Sequence, residues 1–286
     1  MQTITCRVAP SLGGGFAGTP EQVWGTPQYN PEIHINEPVC FFGLYGLPDF
    51  YALWRHKGKR YVFFAGSDIQ HLLNGYWLED NEYGSKLPSE PIAEWIEKNC
   101  ESWVENENER KDLETIGIKA QVCPSFLGDV DDYPISFTPN DRPNVYLSVS
   151  GDNFNLYGWD IVEQIADKCD VDFYLYGSAL WTTKHHNVFI QGRVPKEEME
   201  KEIQNMQCGL RLNDKDGFSE VLAKSILWGQ HPITWAHFGY PHISSFTDKK
   251  SLIKELNALK YKVEPNLIAR EFYLKTLNSF PWNLNK

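Results

Sequence analysis

Short apolar segments alternate with helix-like segments along most of this chain. Residues 39–44 and 60–65 are apolar runs, and residues 47–58 between them have Pro near the start, Gly at the end and apolar side chains at helical spacing. Two strands joined through a helix by short connections form a βαβ unit, in which the strands lie parallel. Because helices cover both faces of a parallel sheet, the alternation predicts an α/β fold with parallel sheets flanked by helices.

The same alternation returns in the second half of the sequence. The strands and helices that it predicts there are Val145–Val149, Tyr157–Lys168, Val171–Tyr176, Asn187–Ile190 and Lys196–Met206. Residues 129–143 are polar and interrupted by proline, which is typical of a domain boundary. We predict two Rossmann-like domains that face a central cleft, residues 1–138 and 139–265, and a C-terminal helix or tail, 266–286, that packs back on the first domain.

Two segments of the first half carry less regular patterns. Residues 1–38 contain Gly13-Gly-Gly15, several prolines and little periodicity, so we expect a loop-rich lead-in. Residues 88–116 are acidic and helix-like, with Trp95 and Trp103 eight positions apart, so we expect a helix there.

Composition excludes several classes of protein. A hydrophobic content of 42% and an aromatic content of 14% supply real cores for 286 residues. No window approaches the roughly 18 uncharged apolar residues of a membrane span, and the N-terminus lacks the pattern of a signal peptide, so we expect a cytoplasmic protein. The net charge of −11 argues against nonspecific binding to nucleic acid or anionic lipid.

The six cysteines lie far apart and contain no Cys-x-x-Cys pair. Structural zinc sites and redox motifs need closely spaced pairs, so the sequence supports neither. We expect reduced thiols that act as small core residues.

Residues 208–234 combine a short apolar strand, a polar loop at Asp216-Gly217 and an amphipathic helix. A strand that leads through a glycine-containing loop to a helix N-terminus is a place where α/β proteins bind phosphate, because the free N–H groups and the helix dipole favour negative charge. Asp216 or Ser219 is the expected N-cap. Glu220 and Lys224 lie four residues apart on one helix face, so a simple ion pair between them is the alternative to a role in a site.

These residues, together with earlier segments, resemble the GT-B-type glycosyltransferases of the retaining, group 1-like branch. In the second half the resemblance rests on Ser150-Gly-Asp, Tyr157-Gly-Trp-Asp, Gly192-Arg-Val-Pro-Lys-Glu-Glu-Met199 and the acidic motif that starts at Asp216. In the first half it rests on Ala65-Gly-Ser-Asp-Ile69 and on residues 103–120, so it covers roughly residues 39–235. It implies transfer of a sugar from a nucleotide-sugar donor held mainly by the second domain, with the acceptor on the first. The family motif starts with Glu and carries a second Glu eight positions later, whereas this chain has Asp216 and Lys224.

The resemblance also implies a set of site residues. Those implied in catalysis are Asp216, Glu220, Lys224 and Arg211. Those implied in donor binding are Ser150, Gly151, Tyr157, Gly177, Arg193, Val194, Gly217, Phe218 and Ser219. Those implied on the acceptor side are Gly66, Ser67, Asp68 and Glu105.

No cofactor is implied beyond the donor as co-substrate. Asp214-Lys-Asp216 spells D-x-D, a metal-binding triplet of other glycosyltransferases, but it leads into a helix as in the metal-independent pattern, so we expect no metal. Whether the anomeric configuration is retained stays open, and so does the acceptor: a glycan, a lipid-linked glycan, a protein or a modified nucleobase.

Two other functions compete with sugar transfer. Lys224 in place of an acidic residue favours a catalytically altered or inactive member that binds a nucleotide or sugar without transferring it. Two Rossmann-like halves also suit a nicotinamide-dependent oxidoreductase, but no G-x-G-x-x-G fingerprint follows a strand, so this hypothesis ranks last.

Overall fold

A computed structural model of the protein describes residues 4–12, 19–78 and 84–277. The chain divides into a first unit of residues 1–128, 215–217 and 276–286, and a second unit of residues 129–214 and 218–275. The division at residue 128 falls immediately before the polar segment 129–143. Gly13-Gly-Gly15 and residues 278–286 of the expected tail lie outside the described residues, and the packing of that tail stays a prediction.

The first unit is built on a parallel sheet. Its five strands within the described residues, in the order in which they lie side by side, are β1 (Thr5–Val8), β2 (Val39–Phe42), β3 (Arg60–Phe63), β6 (Glu101–Val104) and β7 (Ala120–Val122). A separate antiparallel hairpin consists of β4 (Tyr76–Trp77) and β5 (Lys86–Leu87). The helices of this unit are α1 (Thr19–Gln22), α2 (Pro31–His34), α3 (Leu47–Arg55), α4 (Ser67–Leu73), α5 (Ser89–Asn99) and α6 (Glu107–Glu114).

The second unit is also parallel. Its larger sheet has the order β10-β9-β8-β11, with β8 (Asn144–Ser148), β9 (Asp172–Tyr176), β10 (Val188–Gly192) and β11 (Cys208–Gly209). A second, parallel pair is β12 (Ile233–Trp235) and β13 (Ser244–Phe246). The helices are α7 (Trp159–Ile165), α8 (Lys196–Ile203), α9 (Glu220–Leu227), α10 (Lys249–Ala258) and α11 (Leu267–Leu277).

Strand β2 shows why its apolar run forms a central strand. Val39 and Phe41 belong to one hydrophobic cluster of the first unit, whereas Cys40 and Phe42 belong to another. Successive side chains of a strand point to opposite faces, so both faces of the sheet are buried here. Each of the four side chains is at most 1% exposed. The predicted α/β fold with parallel sheets is confirmed.

Two expectations about the first half are wrong. Residues 1–38 are not only a lead-in, because Thr5–Val8 forms an edge strand of the sheet beside β2. Residues 88–116 are not one helix, because Glu101–Val104 forms β6 between two helices. The spacing of Trp95 and Trp103 suggested one helix, but Trp103 lies on β6 and pairs with strands on either side.

The cysteines are unpaired thiols. Five of the six are buried, and Cys100 is half-buried. Burial raises the pKa of the Cys100 thiol and of the Cys169 thiol to about 12, so both stay protonated and inert. Among the residues described, no helix is long and apolar enough to cross a membrane.

Candidate functional site

A cavity of about 490 Å³ lies in the second unit, where strands β8, β9 and β10 end. Open parallel sheets bind ligands at the carboxyl ends of their strands. Five of the residues predicted to bind the donor line this cavity: Ser150, Gly151, Gly177, Arg193 and Val194. They come from the three loops that follow the three strands, so the fold brings together residues up to 44 positions apart in sequence.

Close backbone packing shapes the cavity. Gly177 has a φ of +109°, and a Cβ atom at this position would lie 2.2 Å from the carbonyl oxygen of Val149. The Gly177 N–H donates a 2.7 Å hydrogen bond to the Gly192 carbonyl oxygen. The position therefore requires glycine, because a side chain would force the loops after β8 and β9 apart.

The cavity is lined by positive charge. Arg193 and Lys196 both line it and are exposed. Helix α8 starts at Lys196, and no side chain caps its N-terminus in the described structure, so its first N–H groups and its dipole add to the positive potential. This arrangement suits a nucleotide diphosphate. Lys196 and Met199 also line the cavity. Both belong to the segment Gly192–Met199 that carries the family resemblance, but they were not among the predicted donor-binding residues.

Arg211 and Tyr157, both predicted site residues, form a cluster of their own. The Arg211 guanidinium carbon lies 4.8 Å from the centroid of the Tyr157 ring, a cation–π distance. Beside Tyr157, Gly158 packs against Leu212, where a Cβ atom at 158 would lie 2.3 Å from the Leu212 Cβ. Neither Arg211 nor Tyr157 lines the cavity described above.

The loop and helix that carry the acidic motif form as the sequence predicts. Ser219, not Asp216, is the N-cap of α9, and its hydroxyl accepts a 3.3 Å hydrogen bond from the Leu222 N–H. Phe218 is 6% exposed and stacks on Tyr273 at 5.2 Å, so its ring belongs to the core of the second unit.

Lys224 lies inside an ion-pair network. Its side chain is 7% exposed, and its Nζ lies 2.9 Å from a Glu200 oxygen and 3.0 Å from a Glu220 oxygen. Burial lowers the pKa of Lys224, but the two carboxylates outweigh it, so the pKa is raised and the ammonium stays charged. The pair with Glu220 was expected from the spacing of the two residues, whereas Glu200, which comes from another helix, was missed.

In the first unit, Asp68 is a fully buried carboxyl. It accepts hydrogen bonds from the Leu44 N–H at 2.9 Å and the Ala65 N–H at 3.0 Å, which tie together the loops after β2 and β3. Burial raises the pKa of Asp68 to about 7, although these N–H groups oppose the shift. Gly66 is the N-cap of α4, with a φ of +88°, and Ser67 is its exposed first residue.

Glu105 and Glu109 form a second buried acidic group. Glu109 accepts a 2.8 Å hydrogen bond from the Glu105 N–H, and Glu105 accepts one from the Ser125 hydroxyl. Burial and the neighbouring Glu105 carboxylate raise the pKa of Glu109 well above its usual range. Glu105 is 7% exposed and Glu109 is 5% exposed, so the two carboxyl groups are buried together.

Residues 215–217 belong to the same unit and pack beside this group. The Asn106 amide, which caps α6, donates a 2.9 Å hydrogen bond to the Asp216 carbonyl oxygen. A Cβ atom at Gly217 would lie 1.8 Å from a Glu105 carboxylate oxygen, so a side chain here would displace that carboxylate. The structure thus brings Asp216 and Gly217 next to Glu105. Glu109 was missed because a Glu in an acidic stretch resembles a solvated helix face.

Within the described residues, no group of three or more His, Cys, Asp or Glu side chains is arranged to hold a metal ion. His185, one of two adjacent histidines, donates a 2.8 Å hydrogen bond from its Nε2 to the Glu163 carbonyl oxygen and so fixes its loop.

Comparisons with known proteins give matches in structure. No protein-family model matches the sequence, and no curated protein matches it. The lipopolysaccharide outer core galactosyltransferase WaaB matches with a TM-score of 0.58 at 13% identity, over 84% of this chain and 72% of WaaB. Sucrose-phosphate synthase from Thermosynechococcus elongatus matches with a TM-score of 0.58 at 11% identity, over 86% of this chain and 71% of the synthase.

TarM matches with a TM-score of 0.52 at 12% identity, over 84% of this chain, and the chain spans 50% of the length of TarM. These neighbours are GT-B glycosyltransferases. At such identities the likeness shows the fold, so the chain has the GT-B fold that its motifs predicted.

Proposed function

We propose that this protein is a glycosyltransferase that transfers a sugar from a nucleotide-sugar donor to an acceptor. The observation that carries the proposal is the cationic cavity of the second unit, in which Ser150, Gly151, Gly177, Arg193 and Val194 meet. Two proteins of similar fold, TarM and the O-GlcNAc transferase GtfA, have been crystallised with UDP. We place the donor site of this chain in the cavity at the carboxyl ends of strands β8, β9 and β10.

Sugar transfer requires above all that the negative charge on the departing diphosphate is stabilised. Arg193, Lys196 and the N-terminus of α8 supply positive potential beside the proposed site of the diphosphate. Fixed charges of this kind stabilise the transition state without reorganising during the reaction. The transition state itself is oxocarbenium-like, by analogy with glycoside hydrolysis. No metal ion or other cofactor enters the proposal.

The proposed catalytic group is Asp216, Glu220, Lys224 and Arg211. Lys224 takes part as a positioning residue, because its ammonium fixes the Glu200 and Glu220 carboxylates. The acceptor side is proposed at Gly66, Ser67, Asp68 and Glu105, where Asp68 shapes the loops through its buried carboxyl. The expected cytoplasmic location stays a prediction.

The donor site can be tested with two lysines of one helix. Lys196 lines the cavity, whereas Lys201 lies on the same helix α8 outside the cavity lining. Calorimetric titration with UDP, GDP and ADP should give binding of at least one nucleotide. Lys196→Ala should weaken it about fivefold, the equivalent of about 1 kcal/mol for a partly exposed ion pair, while Lys201→Ala leaves it unchanged. No binding of any nucleotide at millimolar concentration, or equal affinity of the two variants, contradicts the proposal.

Binding without transfer is the second candidate function. It is favoured by Lys224, which occupies a position where the resembled family carries a carboxylate and which is held by two acidic side chains. Incubation with nucleotide sugars separates the two functions. Release of nucleoside diphosphate above the rate without protein supports transfer, and tight binding with no release on any acceptor supports the second function.

A further inference from the structure

A second cavity, of about 560 Å³, lies in the first unit between the loops after β1 and β2, helix α4 and the β4–β5 hairpin. Its volume falls within the roughly 300–1,000 Å³ range of small-molecule sites. The residues predicted on the acceptor side do not line it. Its chemistry is therefore independent of the residues implied by the family resemblance.

One wall of this cavity is aromatic and rigid. The Tyr45 hydroxyl donates to the Ala65 carbonyl oxygen at 3.0 Å, and the Tyr76 hydroxyl donates to the Leu44 carbonyl oxygen at 2.7 Å. These bonds fix both rings in place. Trp77 follows Tyr76 in the wall and is 37% exposed, so part of its indole is accessible to a ligand.

The hairpin holds Trp77 in a defined orientation. Trp77 pairs with Lys86 across the two strands, and the Lys86 Nζ lies 4.2 Å from the indole centroid. Gly75, just before the strand, has a φ of +76°, and a Cβ atom there would lie 2.6 Å from the Leu87 carbonyl oxygen. The hairpin therefore presents Trp77 from a tightly packed base.

Other residues that line the cavity are polar. His71 and Asn74 are exposed and lie three residues apart, so they share one face at the end of α4. The His71 Nδ1 bonds the Tyr45 carbonyl oxygen at 3.1 Å, and the Asn74 amide nitrogen donates to the Gln70 carbonyl oxygen at 2.8 Å. In the part of the chain that the structure describes, the His71 Nε2 and the Asn74 amide oxygen have no protein partner and remain for a ligand.

The acidic side chain that lines the cavity is balanced by a protein partner. Asp49 lines the cavity and is 4% exposed, and its carboxylate lies 2.8 Å from the Arg7 guanidinium and accepts the Tyr45 N–H at 3.0 Å. Lys86 is engaged with the Trp77 ring. A neutral ligand with one apolar face and several hydroxyl groups fits this lining better than a strongly charged one.

We infer that this cavity binds a pyranose ring of a carbohydrate acceptor, with the C–H face of the ring against Trp77 and its hydroxyl groups toward His71 and Asn74. A pyranose carries axial C–H groups on one face and hydroxyl groups around its rim. The cavity lining offers both a partly exposed indole and polar atoms of exposed side chains, which suit the two parts of such a ring. The inference rests on the proposed function and narrows its acceptor to a glycan.

The test is saturation-transfer NMR on the full-length chain. The probes are the methyl glycosides of glucose, galactose, mannose and N-acetylglucosamine, each at tens of millimolar. The matched variants are Trp77→Ala and Trp54→Ala, because Trp54 is 55% exposed on α3 and does not line the cavity. At least one glycoside should show saturation of its ring protons with the wild-type chain and with Trp54→Ala, and at least fivefold less with Trp77→Ala.

A second variant tests the same cavity independently, in case Trp77→Ala fails to fold. His71→Ala combined with Asn74→Ala changes two exposed side chains and should weaken the same glycoside about tenfold, as expected for loss of two hydrogen bonds of about 0.7 kcal/mol each. Circular dichroism melting curves check that each variant folds. Saturation of no glycoside, saturation confined to the aglycone methyl group, or equal signals from the Trp77 and Trp54 variants overturns the inference.

Nucleotide titrations on the same samples separate this inference from the proposed function. Nucleotide binding without glycoside binding overturns the glycan site and leaves sugar-nucleotide chemistry in place. Glycoside binding that depends on Trp77, without binding of any nucleotide, supports the carbohydrate site and overturns the glycosyltransferase.

Discussion

The two units use the carboxyl ends of their parallel strands in opposite ways. In the second unit, Arg193 and Lys196 line an open cavity and keep their charges exposed. In the first unit, Asp68 and Glu109 follow the strands β3 and β6, but they are buried and bonded to backbone N–H groups. This edge of the sheet therefore carries exposed cations in the second unit, where we propose that an anion binds, and buried carboxyl groups that anchor loops in the first unit. The exposed Arg193 and Lys196 are therefore candidates for ligand binding, whereas the buried Asp68 and Glu109 stabilise the loops around them.

The largest effect on stability and on nucleotide binding is expected at Gly177, which shapes the cavity proposed to bind the donor. Gly177→Ala places a Cβ atom 2.2 Å from the Val149 carbonyl oxygen at a φ of +109°. It should lower the free energy of unfolding by more than about 3 kcal/mol and abolish nucleotide binding. Urea unfolding and calorimetry measure both.

Gly151→Ala is the matched control. Gly151 lines the same cavity with a φ of +61°, but the nearest atom to a Cβ would be 3.7 Å away. The cost should be the conformational one alone, about 1–2 kcal/mol. Equal losses for the two variants would show that the close approach at residue 177 does not shape the site.

Lys224→Ala should give the next largest loss. The substitution removes the cation that Glu200 and Glu220 share, and Glu200 keeps a longer contact of 4.0 Å with the exposed Lys196. Because Glu220 is partly exposed, we expect about 2–3 kcal/mol of destabilisation, less than for a fully buried pair. Lys201→Ala, on the exposed surface of α8, should change the stability by less than about 0.5 kcal/mol.

Adding Glu200→Gln to Lys224→Ala tests the origin of that loss. Removing one of the two carboxylates should restore part of the stability, a coupling that a double-mutant cycle detects. Independent, additive effects of the two substitutions would contradict the network.

Asp68 should make the stability of the fold depend on pH. Burial raises the pKa of Asp68 from 3.8 to about 7, so between these values the folded state binds a proton that the unfolded state releases. The stabilising contribution is complete below about pH 4 and is lost as the pH rises through about 7, with a slope of at most about 1.4 kcal/mol per pH unit. Urea unfolding from pH 4 to 8 should show this decline.

In Asp68→Asn the decline should become shallower, although the variant is less stable overall because the amide offers one oxygen to the Leu44 and Ala65 N–H groups. Glu90→Gln, at an exposed position of α5, should leave the slope unchanged. An Asp68→Asn variant with the wild-type slope would mean that this carboxyl is ionised in the fold.

The smallest effect is expected at the N-cap of α9. Ser219→Ala removes the hydroxyl that accepts the Leu222 N–H and should cost about 1 kcal/mol. Asp216→Ala should leave the helix unaffected, since Asp216 does not cap it in the structure. A larger loss from Asp216→Ala than from Ser219→Ala in thermal melting would reverse this assignment.

The sequence predicts the fold well where the pattern is local. Continuous apolar runs such as Val39–Phe42 and Asn144–Ser148 reveal buried strands because both faces of a parallel sheet are covered. The strand Glu101–Val104 was missed because its alternating burial follows from the strands beside it, which no short window contains. The edge strand Thr5–Val8 was missed for a similar reason.

The candidate site is predictable only in part for the same physical reason. The loops at Ser150, Gly177 and Arg193 carry turn glycines or directly follow strands, and the structure brings them together. Glu200 and Glu109, in contrast, acquire their importance from burial and from partners on other elements. In sequence they are ordinary acidic residues of amphipathic helices, so composition and spacing give no signal of their state.

The central claim is that the cationic edge of the second sheet holds the donor nucleotide. Hydrogen exchange measured by mass spectrometry, with and without the nucleotide that binds best among UDP, GDP and ADP, tests it most directly. The account predicts new protection in the segments 148–151, 176–177 and 193–199, which contain the residues that line the cavity. The Lys196→Ala variant should be less protected at equal nucleotide concentration. Protection confined to other segments, or none in these three despite binding, would contradict it.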